Sequence, residues 1–213
     1  MGKGELTRNR ILDKAMCLAS KEGLRGLTIG KLASVASLSK AGLFAHFGSK
    51  EALQLAVLEY TGARFRERVV APVEAVPPGP QRLRALLRGC LDWIDDPAFP
   101  GGCPIMGACF ELDAQEGPPR EWLIAKQKAF QKRVAWMVRE FSPPGTDVNQ
   151  MVFEFRAITL AYQYSTRVLH DGAARKLARK ALDAVLARAG QPRHTCSFAG
   201  GLIATHFLLP LFL

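Results

Sequence analysis

The 213 residues predict an all-α fold, and three observations carry that expectation. Apolar residues recur at helical spacing through nearly every segment to about residue 190, and no segment alternates as a strand does. The stretch Thr28 to Leu53, TIGKLASVASLSKAGLFAHFGSKEAL, reads as two short helices joined by a tight turn and followed directly by a third. Two helices meeting in that way can lay the second in a DNA major groove.

The elements of the head follow in order. Thr7 is placed to cap a first helix whose stripe is Ile11, Leu12, Ala15, Leu18 and Ala19, and Gly23 stops it. Thr28 offers a hydroxyl to a second helix with Ile29, Leu32, Val35 and Ala36 inward, while Ala33 is small enough for a helix to cross closely. Ser39 caps the third. Its inward residues are Leu43 and Phe47, four apart, which leaves Lys40, Ala41, Gly42, Phe44, Ala45 and His46 along the open side and the amino-terminal end. Gly48-Ser49 closes that helix and caps the next.

The body continues the pattern. Ser49 opens a long helix carrying Leu53, Ala56, Val57 and Tyr60, which runs past Phe65 toward Pro72 and the break at Val76-Pro77-Pro78-Gly79-Pro80. A helix from Arg82 to Asp95 bears Leu83, Leu86, Leu87, Leu91 and Ile94. After a bend at 97–104 comes a short segment from Ile105 to Asp113, ended by Glu116-Gly117-Pro118-Pro119. A helix from about Arg120 to Phe141 places Leu123, Phe130, Val134, Met137 and Phe141 on one stripe. From about Asp147 to His170, Val148, Met151, Phe155, Ile158, Tyr162 and Leu169 form one apolar row, and Phe153, Ala157, Leu160, Ala161, Tyr164 and Val168 form another. A helix apolar on two sides needs two partners. The 173–189 helix turns Ala174, Leu177, Ala178, Ala181, Leu182, Val185 and Leu186 one way, opposite Arg175, Lys176, Arg179, Lys180 and Arg188.

Charge and composition narrow the function. Residues 1–50 hold nine lysines and arginines against three acidic residues, so +6 of the chain's net +10 lies in less than a quarter of its length. Such clustering supplies the salt-sensitive, sequence-independent part of DNA affinity by releasing counterions from phosphates. A basic surface alone is usually a solvated face; the helix-turn-helix pattern is what points to nucleic acid. The 48% hydrophobic content is enough to fill a core. Five cysteines, Cys17, Cys90, Cys103, Cys109 and Cys196, contain no C-x-x-C pair, which argues against a disulfide framework or structural zinc and for reduced core thiols. Nothing near Cys103 or Cys109 in sequence promises the lowered thiol pKa that a redox trigger needs. His46, His170, His194 and His206 do not combine at a strong metal spacing, and there is no phosphate-binding glycine loop, G-x-S-x-G elbow or H-E-x-x-H. The expectation is no catalytic residue, no metal and no cofactor. The polar start, MGKGELTRNR, does not read as a secretory signal, and Leu6 breaks the myristoylation pattern, so the expected location is cytoplasmic. The stretch 198–213 is apolar apart from Thr205 and His206, yet is too short for the ~20 residues of a membrane-spanning helix.

The run Leu43-Phe44-Ala45-His46-Phe47-Gly48-Ser49-Lys50-Glu51-Ala52-Leu53 closely resembles the pattern Leu-Tyr-x-His-Phe-x-Ser-Lys-Glu-Ala-Leu that ends the head of the TetR family of transcriptional repressors. The resemblance is specific over roughly residues 7–60 and continues beyond as an all-helical pattern. Two positions depart from it. Ser37 stands where the family usually has a glycine in the bend, and Phe44 stands where members commonly carry a tyrosine whose hydroxyl reaches a phosphate. The resemblance implies a helix-turn-helix DNA-binding domain over 1–48, a helical ligand-binding and dimerisation domain over 49–190, and leaves 191–213 as an apolar tail of unknown role. Thr28, Ser39, Lys40 and Lys50 are expected to hold phosphates of double-stranded DNA, with Ala41, Gly42, Phe44, Ala45 and His46 facing the groove. The helices at about 147–170 and 173–189 resemble those that pair two subunits of the family into a homodimer. Among the central helices, Trp93, Met106, Cys109, Phe110, Phe130, Phe155 and Tyr162 are expected to line a pocket for a small-molecule effector, with Gln163, Glu111 or Asp113 as polar anchors. For each of these, plain core packing is the competing role. The expected function is a ligand-responsive repressor that binds a palindromic operator as a homodimer and is released by a small molecule. The rival is a helical protein-interaction module, membrane-associated through its tail.

Overall fold

Caps and breakers set the helix ends over residues 3–189, the part that a computed structural model describes. The expectations for the apolar tail, Cys196, His194 and His206 lie outside the described residues. Helix α1 spans Lys3–Gly26 and begins upstream of Thr7, which therefore sits inside the helix and not at its cap. Glu5 and Leu6 favour helix and no breaker separates them from the apolar stripe, so the helix extends back over them. Gly23, at φ 77° and ψ 164°, is non-helical and stops the first helical run as expected, with one further turn following it to Gly26. Helix α2, Ile29–Ala36, is capped by the Thr28 hydroxyl, which accepts the Lys31 N–H at 3.2 Å. Leu32 and Ala33 are buried, whereas Val35, expected inward, is 48% exposed. At ~100° per residue Val35 lies about 110° round from the middle of the Leu32–Ala33 face.

Ser37 ends α2 in the left-handed conformation, φ 55° and ψ 44°, with the Leu38 N–H donating to the Ala33 carbonyl at 3.0 Å. This is the glycine-favouring C-terminal turn adopted by a serine. Helix α3, Lys40–Phe47, follows, and Gly48 at φ 73° turns the chain into α4, Lys50–Phe65, capped by Ser49. A π-helical segment, Arg66–Val70, continues α4 without a break into α5, Ala71–Glu74. Pro72 has no N–H to give the Arg68 carbonyl, and the Ala71 N–H bonds five residues back to Arg66.

The body comprises α6 (Pro80–Ile94), α7 (Pro104–Glu111), α8 (Pro118–Arg139), α9 (Val148–Arg167) and α10 (Ala174–Ala189). Proline within the first turn of α6, α7 and α8 costs nothing there, because those N–H groups have no helical partner. Arg82, itself buried, donates to Glu140 at 2.7 Å and to the Val76 carbonyl at 2.8 Å, pinning the Pro-rich break to the end of α8. Arg175 on α10 bridges Asp92 and Asp95 at the end of α6.

Of the two apolar rows of α9, Met151, Phe155, Ile158 and Tyr162 are buried, while Phe153, Tyr164 and Val168 are exposed. Leu169, expected in the buried row, falls beyond the end of α9 and is exposed. On α10, Ala174, Ala178, Leu182, Val185 and Leu186 pack inward, whereas Leu177 and Ala181, expected with them, are exposed. At ~100° per residue the seven span about half of the helix circumference, more than its described neighbours cover, and these two lie at one edge of the stripe.

Candidate DNA-reading head and effector cavity

Only Leu43 and Phe47 of α3 are buried. Lys40, Ala41, Gly42, Phe44, Ala45 and His46 are all exposed, Phe44 at 59%. The Ser39 hydroxyl accepts the Gly42 N–H at 3.0 Å, and a Cβ on Gly42 would stand 3.1 Å from that oxygen, so the glycine keeps the cap uncrowded. Lys40 has no acceptor among the described residues, and its Cε would lie 3.6 Å from a Cβ on Gly30, which places its stem over the start of α2. Lys50 donates from Nζ to the Arg25 carbonyl at 2.8 Å. Thr28, Lys40 and Lys50 thus gather near the α1–α2 turn. Phe47 is held from outside by the Arg8 guanidinium, 5.4 Å from the ring centre.

Below the head a cavity of about 660 Å³ opens between α4, the π-helical segment, α6, α7, α8 and α9. Its aromatic wall is built from Phe65, edge-on to Trp93 at 5.5 Å and to Phe130 at 5.7 Å between ring centres, with Trp122 beside them. Of the residues expected to line it, Trp93, Met106 and Phe130 do so. The others do not. Phe110 is 68% exposed; Phe155 is fully buried behind Phe130, 6.4 Å between ring centres. Tyr162 donates its hydroxyl to Asp95 at 2.5 Å, and Gln163 packs beside Gly102. Cys109 is half-buried near Arg156 and is not among the lining residues. Glu111 accepts the Arg25 N–H at 2.8 Å, and Asp113 is exposed between α7 and α8. Apolar periodicity marks these side chains as inward or aromatic but does not say which of several inward directions meets a void.

Sequence reasoning missed the cavity's polar lining: Glu59, Arg66, Lys126, Gln127, Arg133, Arg156 and Thr159. One signal was legible, since Arg156 and Glu154 are the only charges in α9 between Met151 and Thr166. Burial pushes the Cys90 thiol up to about 12 and raises that of Cys103 as well; the Cys109 thiol is raised by burial, with Arg156 partly opposing. All three stay protonated at neutral pH, which disfavours a thiolate trigger at Cys103 or Cys109.

Two elements touch both cavity and head. Helix α4 lines the cavity from Glu59 to Phe65, and also holds the head through Lys50, through Gln54 donating to the Leu24 carbonyl at 2.8 Å, and through Tyr60 donating to Asp13 at 2.7 Å. Helix α7 lines it through Ile105 and Met106 and reaches α1 through Glu111. Just before α7, the Ser20 hydroxyl donates to the Gly102 carbonyl and accepts the Gly101 N–H. A Cβ on Gly101 would lie 1.8 Å from the Ser20 carbonyl oxygen, so only glycine fits there.

Comparison with known proteins gives two family matches: "Bacterial regulatory proteins, tetR family" over residues 11–57 and "Tetracyclin repressor-like, C-terminal domain" over 79–182. The HTH-type transcriptional regulator BetI of Rhizobium meliloti (strain 1021) is 28% identical over 88 residues, 41% of this chain and 43% of that relative, so the match spans less than half of its length. The chain is similar in structure to a TetR transcriptional regulator from Chloroflexus aurantiacus J-10-FL, at TM-score 0.79 and 25% identity over 88% of this chain and 98% of that one. It shares its fold with AibR in complex with isovaleryl coenzyme A and operator DNA, at TM-score 0.66 and 19% identity over 84% and 98% of the two chains.

Proposed function

Since the chain belongs to the TetR family of transcriptional regulators, DNA-binding and ligand-responsive proteins that are not enzymes, we propose that it is a homodimeric repressor of a palindromic operator, released when a small molecule fills the cavity. The observation that carries this reading is that α4 and α7 are at once walls of the cavity and tethers of the head. An occupant that moves either wall changes the seat of α3. AibR, whose structure holds both an acyl-coenzyme A and operator DNA, supports the same division of labour here. Release requires only that the effector bind the off-DNA arrangement better: a hundredfold loss of operator affinity corresponds to about 2.7 kcal/mol of preference.

In this reading Thr28, Ser39, Lys40 and Lys50 hold phosphates, and Ala41, Gly42, Phe44, Ala45 and His46 face the groove. Small side chains at Ala41, Gly42 and Ala45 suit apolar contact with thymine methyls and readout of DNA shape. The dimer forms through α9 and α10, where Phe153, Tyr164, Val168 and Leu177 are large, apolar and exposed. Two-fold symmetry then sets two copies of α3 about one helical turn of DNA apart. The setting is the cytoplasm; among the described residues no helix is long and apolar enough to cross a membrane.

Selection of bound duplexes from a random pool, followed by anisotropy titration, tests the proposal. Enrichment of an inverted repeat is the expected result. Binding without sequence enrichment at low salt would favour the rival, a helical protein-interaction module.

A further inference from the structure

The cavity carries a charge that its aromatic walls do not call for. Arg66, Lys126, Arg133 and Arg156 line it, against the single carboxylate of Glu59. Two of these cations are already engaged: Arg133 donates to Glu74 at 2.6 Å, and Lys126 lies over the Trp122 ring at 5.7 Å. Arg156 is different. Half-buried in the middle of α9, it has no carboxylate partner among the described residues. Its neighbours are the Cys109 thiol and, further off, the buried thiols of Cys90 and Cys103, all of them neutral. Glu59 is exposed, so water screens its charge.

A guanidinium does not give up its proton in a protein. Holding one in a largely apolar wall without a counter-charge costs free energy that a correctly charged occupant returns. At about 660 Å³ the cavity falls within the size range of small-molecule sites, and its apolar wall offers Phe65, Trp93 and Phe130 as stacking surfaces.

We propose that the cavity selects an amphipathic organic anion, a carboxylate carried on an aromatic or acyl body, with the carboxylate paired to Arg156 and the body laid against Phe65, Trp93 and Phe130. Arg66, exposed and without a carboxylate partner among the described residues, adds long-range attraction at the cavity wall. The inference rests on reading this cavity as the effector site.

Isothermal titration of the full chain with decanoate, 4-phenylbutyrate and indole-3-propionate, each beside its primary amide, and with decyltrimethylammonium, tests it. At least one acid is expected to bind about tenfold or more tightly than its amide, the worth of a charge-assisted pair. Arg156→Met is expected to erase that preference while leaving amide binding in place. Arg156→Lys keeps the charge, retains part of the preference, and serves if the methionine variant fails to fold. Equal binding of acids and amides, preference for the quaternary amine, or no binding of any acid up to its solubility limit overturns the inference. Operator anisotropy run in parallel separates the two claims. An acid that binds through Arg156 without loosening the operator sinks release by effector and leaves the anion site standing. A neutral or cationic ligand that releases the operator does the reverse.

Discussion

Replacing Gly23 by alanine tests the joint between head and body. Gly23 holds φ 77° and ψ 164°, a region essentially reserved for glycine, and forcing a residue with a Cβ into it costs about 2 kcal/mol. The added Cβ would also stand 2.7 Å from both carboxylate oxygens of Glu111. That carboxylate must then withdraw from the Arg25 N–H, which it accepts at 2.8 Å. Because the site is solvent-accessible, losing this charge-assisted bond is set near the low end of its range, about 1.5 kcal/mol. The alanine restricts the unfolded chain and returns about 0.5 kcal/mol. The expected net loss is about 3 kcal/mol, a fall in Tm of roughly 6–12 °C for a chain of this size. Urea unfolding followed by circular dichroism measures it. In a Glu111→Ala background the bond is already absent, so Gly23→Ala should cost about 1.5 kcal/mol less than it does alone, a coupling within the range for touching residues. A Gly23→Ala protein within about 1 kcal/mol of the parent, or strict additivity in the double variant, refutes the reasoning.

Ser37→Gly relieves a left-handed serine whose side chain makes no hydrogen bond among the described residues; a gain of about 0.5–1 kcal/mol is expected in the same unfolding assay, and a loss would mean the bend is not strained. Tyr60, its phenol pushed up to about 12 by burial and by its hydrogen bond to Asp13, keeps its proton more firmly folded than unfolded. Its contribution is therefore complete below pH 10 and lost as pH rises toward 12, so Tyr60→Phe should flatten that part of the stability profile. Phe153→Glu places a charge on the exposed apolar face of α9; if the proposed dimer forms there, light scattering after gel filtration should show the parent protein as a dimer and the variant as a monomer. Lys40→Ala removes from the start of α3 a cation with no acidic partner among the described residues and should reduce the slope of log affinity against log salt by about 1 on every duplex tested, an unchanged slope arguing against a phosphate contact.

Apart from Thr7 and Val35, the caps and turns of the head were legible in the sequence residue by residue because these devices are local. Caps at Thr28, Ser39 and Ser49, the left-handed Ser37 and the Leu43–Phe47 inward pair each depend on neighbours within four positions. The body helices were legible for the same reason, to within a few residues at their ends. The cavity was not, because it is defined by what five helices and the π-helical segment leave unfilled. Phe130 lines it and Phe155, 6.4 Å away, lies behind, and no periodicity separates the two. Glu111 shows the same limit from the polar side: its role is set by an N–H 86 residues away in sequence. Thr7 shows the converse, a capping residue overridden because the chain before it also favours helix.

The π-helical segment gives α4 a physical reason to respond to an occupant of the cavity. Pro72 leaves the Arg68 carbonyl without its helical donor, and the Ala71 N–H bonds to Arg66, five residues back. Phe65, Arg66 and Val70, at the ends of this wider turn, line the cavity. Tightening five-residue bonds to four-residue ones removes a residue's worth of slack and rotates everything on the amino-terminal side about the helix axis. That side carries Tyr60, Gln54 and Lys50, the contacts that seat the head. In the proposed response, an occupant pressing on Phe65 or drawing on Arg66 would act where α4 is least committed to one hydrogen-bond register, and the rigid helix would carry the rotation to α3. Converting Pro72 to alanine restores the missing donor, so if this is the route, Pro72→Ala should shift operator affinity in the absence of any effector. Unchanged affinity in a folded Pro72→Ala protein would move the coupling to α7 and its Glu111 contact with α1.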